Sequence, residues 1–143
     1  MSRISEAFNN KKAFIGFLTA GDPYQKMTVE YILEMEKAGA SLIEIGIPFS
    51  DPIAEGPVIQ EANIRALSKG MTTDQVFEIV AEVRKHSNIP LCLMTYLNPV
   101  FHYGYDEFLK NVKKPELMGS SFLIARMKKV RKLVIFVINM MLI

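Results

Sequence analysis

Three short apolar runs set the terms for this chain: AFIGFLTA (13–20), SLIEIGIP (41–48) and LCLMTY (91–96). Each reads as a strand, and the first is closed by Gly21. Segments with helical spacing lie between them. Asp22 can cap a helix and Pro23 suits its first position; Tyr31, Ile32, Met35 and Ala38 then share one face, and Gly39 can end it. Within 58–69, Ile59, Ala62, Ala66 and Leu67 share a face ahead of Gly70. Thr72 and Gln75 fit a capping box, followed by a stripe of Val76, Ile79, Val80 and Val83. GYDEFLKN (104–111) begins another helix. The order β-α-β-α-α-β-α predicts an α/β fold with a parallel sheet of βαβ units. No G-x-G-x-x-G follows the first run, which disfavours a dinucleotide site. Open doubly wound sheets and (β/α)8 barrels both fit this pattern.

The second run contains an acid. Side chains alternate along a strand, so Leu42, Glu44 and Gly46 share one face and Ile43, Ile45 and Ile47 the other. The isoleucine face suits packing against helices. Glu44 then points to the opposite face, which in a barrel is the interior, near the strand end where barrel active sites lie. Withdrawing a carboxylate from water favours its neutral form, and a carboxyl poised between its two forms can give and take back a proton. A structural Glu satisfied by backbone or a lysine is the competing reading. The loop PFSDPIAEGP that follows adds Asp51 and Glu55 on a backbone stiffened by prolines.

Composition excludes several classes. The 143 residues, 50% hydrophobic, suit one domain. Residues 1–112 hold ten Lys/Arg and fourteen Asp/Glu, a net −4 without a basic patch, so nucleic acid is not an expected partner. The single cysteine, Cys92, rules out an internal disulfide, fits a reducing cytoplasm and reads as buried packing between Leu91 and Leu93. The N-terminus has no apolar signal region, and the ten-residue run VIFVINMMLI is too short to span a bilayer as a helix. His86 and His102 stand apart from any metal-ligand spacing, so no metal site is expected.

FLTAGDP, EIGIPFSDPIAEGPVIQEANIRALSKG and LMTYLNPVFHYG together resemble the tryptophan synthase alpha chain family over about residues 13–112. PFSDP followed by an acid, GP and IQ is far more discriminating than a glycine pattern. The resemblance implies a TIM (β/α)8 barrel that cleaves indole-3-glycerol phosphate to indole and glyceraldehyde 3-phosphate. It implies a tryptophan synthase beta chain as partner, in an α2β2 tetramer, with pyridoxal phosphate held by that partner and no cofactor in this chain. By position, Glu44 matches the catalytic acid/base. Glu55 matches a catalytic Asp that holds the indole N–H, here one methylene longer. Phe17, Met94 and Tyr96 fall where the family lines its indole pocket. Pro48, Asp51, Asn98 and Pro99 fall where it meets the beta chain. The phosphate is held by loops after later strands.

The final segment differs. Residues 113–143 hold seven Lys/Arg and one Asp/Glu, an abrupt change of sign. A TIM barrel takes about 250 residues, so residues 1–112 are expected to supply about three βα units of an incomplete barrel. The family's fourth strand should follow Asn111, roughly as AGIDGLIIPDLP. Starting each degenerate codon one nucleotide earlier lets Pro115-Glu116-Leu117-Met118-Gly119 read Ala-Gly-Ile-Asp-Gly, and Ser120-Ser121-Phe122-Leu123-Ile124 read Leu-Ile-Ile-Pro-Asp. The segment is therefore expected to be non-homologous and translated out of frame from near Lys113-Lys114. A membrane-surface helix would need its basic and apolar residues on opposite faces, and here they form consecutive blocks. The expected consequences are an unpaired sheet edge at the third strand, an uncovered inner face, and a chain that folds poorly alone and does not turn over substrate. A non-catalytic module docking on the beta chain is the alternative.

Overall fold

The computed structural model describes residues 7–8, 12–53, 55–112, 114 and 121–126. Among them, four strands form one sheet: β1 (Ile15–Thr19), β2 (Leu42–Gly46), β3 (Leu91–Tyr96) and β4 (Ser121–Arg126). Five helices connect or flank them: α1 (Gln25–Lys37), α2 (Pro57–Ser68), α3 (Thr73–Arg84), α4 (Leu97–Tyr103) and α5 (Tyr105–Val112). The strand order is β1-β2-β3-β4 and every neighbouring pair is parallel. A doubly wound sheet reverses its order at a switch point. A barrel lays each new strand beside the last, and that is the order here.

The isoleucine face of β2 behaves as its alternation predicts. Ile43, Ile45 and Ile47 join one continuous core with Leu91 and Leu93 of β3, Ile32 of α1, Ala66 of α2, Val76, Ile79, Val80 and Val83 of α3, Val100 of α4 and Phe108 of α5. Each buried Ile, Leu, Val or Phe among them contributes about 1.5–3 kcal/mol of transfer free energy. The capping box of α3 is present: the Thr72 side chain accepts from Gln75 N–H, and the Gln75 side chain accepts from Thr72 N–H at 2.9 Å.

Several expectations need correction. α1 starts at Gln25 with Tyr24 as its N-cap and no side-chain cap, so neither Asp22 nor Pro23 opens it. The Asp22 carboxylate is instead engaged by the Arg65 guanidinium, Nε to Oδ1 and Nη2 to Oδ2 at 2.8 Å each. That two-pronged, charge-assisted pair satisfies the acid better than one backbone N–H. The buried side of α1 is Thr28 and Ile32, with Tyr31 and Ala38 exposed. Asn98 and Pro99 lie in the first turn of a helix, α4, which was not anticipated. The edge expected at β3 is covered, since β4 pairs along it from Leu91↔Ser121 to Tyr96↔Arg126. Apart from Lys114, the rest of the basic segment lies outside the described residues.

Candidate active site

The second face of the sheet carries the candidate residues. Strand register sets Glu44 of β2 directly between Phe17 of β1 and Cys92 of β3, and Gly46 between Thr19 and Met94. Tyr96 lies one inward-facing step beyond Met94, at the C-terminal end of β3. Glu44 is half-buried, Cys92 is 4% exposed, and Tyr96 7%. Leu42 and Cys92 close with Ala7 into a small second cluster below the acid. Glu44 thus stands half-buried above an apolar floor.

Gly46 lets Phe17 lie over the sheet. A Cβ at Gly46 would sit 2.8 Å from the Phe17 ring Cζ. The missing side chain therefore seats an aromatic wall one step above Glu44. Cys92 feels its surroundings in its chemistry: burial first, and then the neighbouring Glu44 charge, push its thiol up to about 12 from 9.0. It is a packed, unreactive neighbour, as its alternation in LCLMTY suggested.

Glu55 reaches the same region from the loop between β2 and α2. The Tyr96 hydroxyl donates to its Oε2, and Gln60 Nε2 donates to its main-chain carbonyl at 2.9 Å. Ile53 N–H donates to the Tyr96 hydroxyl at 3.1 Å, and the Phe49 and Tyr96 rings lie 5.3 Å apart. The structure therefore gathers Phe17, Glu44 and Met94 on one face and joins Tyr96 to Glu55 at its end. Pro48, Asp51, Asn98 and Pro99 collect elsewhere, along a groove of about 710 Å³ between that loop and α4, which Phe101 and His102 also line. Asp51 is exposed there and accepts a hydrogen bond from Ser50 Oγ at 2.6 Å.

Two residues were missed by the sequence reading. Phe49 braces Tyr96, and nothing in PFSDP announces that contact. Thr19 shares the Phe17 face, and its buried hydroxyl has no hydrogen-bond partner among the described residues. Simple alternation along FLT could have flagged it. Among the described residues no group of three His, Cys, Asp or Glu could hold a metal ion, and no helix is long and apolar enough to cross a membrane.

The chain as a whole is similar to known proteins. The family profile described as tryptophan synthase alpha chain matches residues 4–132. The tryptophan synthase alpha chain of Petrotoga mobilis is 46% identical over 119 residues, covering 83% of this chain and 46% of the relative. That of Lacticaseibacillus casei is 49% identical over 119 residues, covering 83% and 45%. The crystal structure of tryptophan synthase subunit alpha from Legionella pneumophila superposes with a TM-score of 0.79 at 42% identity, over 87% of this chain and 49% of that one. A chain from the tryptophan synthase α2β2 complex of Pyrococcus furiosus gives 0.72 at 42% identity, over 79% and 44%. This chain spans about half the length of the curated relatives it matches. The profile match, the two relatives and the barrel-type strand order agree: the chain belongs to the tryptophan synthase alpha chain family.

Proposed function

We propose that the face bearing Glu44 is the indole-handling part of a lyase site that cleaves indole-3-glycerol phosphate to indole and glyceraldehyde 3-phosphate. Glu44 gives its proton to the ring carbon that carries the side chain. Positive charge develops at the ring nitrogen, where the Glu55 carboxylate accepts the N–H. The carbon–carbon bond to the side chain then breaks and its electron pair returns to the ring. The side-chain hydroxyl becomes the aldehyde carbonyl and loses its proton, which restores Glu44. Phe17 and Met94 flank the ring plane. The observation that carries this reading is the register that puts Glu44 between Phe17 and Cys92, on the face whose end Tyr96 and Glu55 close.

On this reading the phosphate is held by loops beyond the four strands, so the chain alone binds the indole end without turnover. It uses no cofactor of its own and works in the cytoplasm. We also infer that residues 113–143 are read out of frame. The test is equilibrium dialysis with indole, alongside an assay for indole released from indole-3-glycerol phosphate. Indole is expected to bind to the chain and to bind at least tenfold more weakly to Phe17→Ala, with no release by the chain alone. No binding of indole by the intact chain would overturn the reading.

The groove favours a second reading, a module that docks on a beta chain through Pro48, Asp51, Asn98 and Pro99. Co-sedimentation with a pyridoxal-phosphate-bearing beta chain, lost in Asp51→Lys, together with absence of indole binding, is the outcome that selects it.

A further inference from the structure

We propose that Tyr96 is a positioning residue: its hydroxyl latches the loop between β2 and α2 and holds the Glu55 side chain through Oε2. This rests on the reading above for what Glu55 does, but not for how Glu55 is held.

One phenol touches the loop at three places. Its ring lies against Phe49, its oxygen accepts Ile53 N–H at 3.1 Å, and its hydroxyl meets Glu55 Oε2. A tyrosine hydroxyl has one proton. Ile53 N–H points at the oxygen and occupies a lone pair, so the proton is directed to Glu55. Glu55 Oε2 then offers the lone pair that this proton meets. Gln60 fixes the main chain of Glu55 independently, through its carbonyl at 2.9 Å. Backbone and side chain of the acid are thus held by different residues on different elements.

The arrangement also gives the extra methylene of Glu55 a use. With the main chain pinned by Gln60, an aspartate at this position falls short by about one carbon–carbon bond, roughly 1.5 Å. The longer acid and the Tyr96 hydroxyl therefore work as a pair. Asp at 55 keeps the charge and loses the latch. Gln at 55 keeps an oxygen that can accept the Tyr96 proton and loses the charge.

The test uses the intact chain, labelled with 15N throughout and with 13C at tyrosine Cζ; five tyrosines keep the carbon spectrum assignable. Loss of one hydrogen bond corresponds to about tenfold in a local opening equilibrium. Tyr96→Phe is expected to speed exchange of the Ile53 amide about tenfold, with the β3 amides from Cys92 to Thr95 unchanged. Glu55→Asp is expected to do the same and to move the Tyr96 Cζ resonance, while Glu55→Gln leaves the Ile53 amide protected. If Tyr96→Phe disrupts β3 itself, Glu55→Asp and Glu55→Gln still separate latch from charge with Tyr96 in place. Equal Ile53 exchange in the wild type and Glu55→Asp, or a Tyr96 Cζ resonance indifferent to that change, overturns the latch. Dialysis with indole separates the two ideas. An intact latch with no indole binding sinks the lyase reading and leaves the latch standing.

Discussion

At the scale of single residues, packing and burial decide more than charge does. Gly46→Ala puts a methyl 2.8 Å from the Phe17 ring. The ring is 37% exposed and can swing outward, so the expected cost is about 1 kcal/mol, the low end for overpacking, with weaker indole binding as the wall moves. Urea unfolding and dialysis check the two parts. Thr19→Val removes a buried hydroxyl that has no partner among the described residues. It is expected to stabilise the ligand-free chain by about 1 kcal/mol, because a desolvated, unpaired group is lost. Cys92 gives a pH dependence. Its thiol is raised from 9.0 to about 12, so the folded chain keeps a proton that the unfolded chain loses across that interval. The stabilisation is complete below pH 9 and disappears as pH climbs to 12, at about 1.4 kcal/mol per pH unit for one group. The raised Tyr103 hydroxyl acts in the same direction over the upper part of the window. Cys92→Ala should flatten the fall in urea midpoint between pH 9 and 11 while leaving the Tyr103 contribution.

At the scale of elements, the most legible pieces were those whose signals are local. LCLMTY became a strand with the same limits, because a short apolar run between two helical segments has little else to be. The Thr72–Gln75 box was read correctly because both halves of the cap lie within four residues. Thr72→Ala is expected to cost about 1 kcal/mol, seen as a lower melting temperature with α3 still formed. The start of α1 was misread because a distant residue intervened: Arg65, 43 positions away, takes the Asp22 carboxylate that local rules assign to a cap. That pair is half-exposed, so Arg65→Lys, which loses the fork, is expected to change stability by less than about 1 kcal/mol. α4 was invisible because LNP reads as a turn. Its proline falls in the first helical turn, where no intrahelical N–H bond is lost. For the site, alternation put Glu44 on the inward face, while Phe17 and Met94 were named only by the family resemblance; the register of β1 and β3 against β2 is what sets them beside it. The Tyr96–Glu55 contact spans 41 positions and leaves no local trace.

At the scale of the whole molecule, two features of the sheet have consequences: its edges and its fourth strand. Among the described residues β1 and β4 are the outer strands, and Phe14 and Ile15 beside the β1 edge are 65% and 40% exposed. Parallel pairing is made by main-chain groups, so an apolar run such as SFLIAR can extend the sheet at β3 whatever its side chains specify. The presence of β4 is therefore compatible with an out-of-frame segment. The two accounts part at the coding DNA. If translation slips near Lys113-Lys114, triplets begun one nucleotide earlier are expected to spell a family-type fourth strand and then further strand–helix units. A gene corrected by one nucleotide should yield a longer chain whose β1 edge is paired. Its amides between Ile15 and Thr19 should then exchange far more slowly than those of the present chain. A stop codon within a few triplets in that frame would instead make the basic segment a genuine part of this protein. The pairing of β4 with β3 would then be its own solution to an open edge.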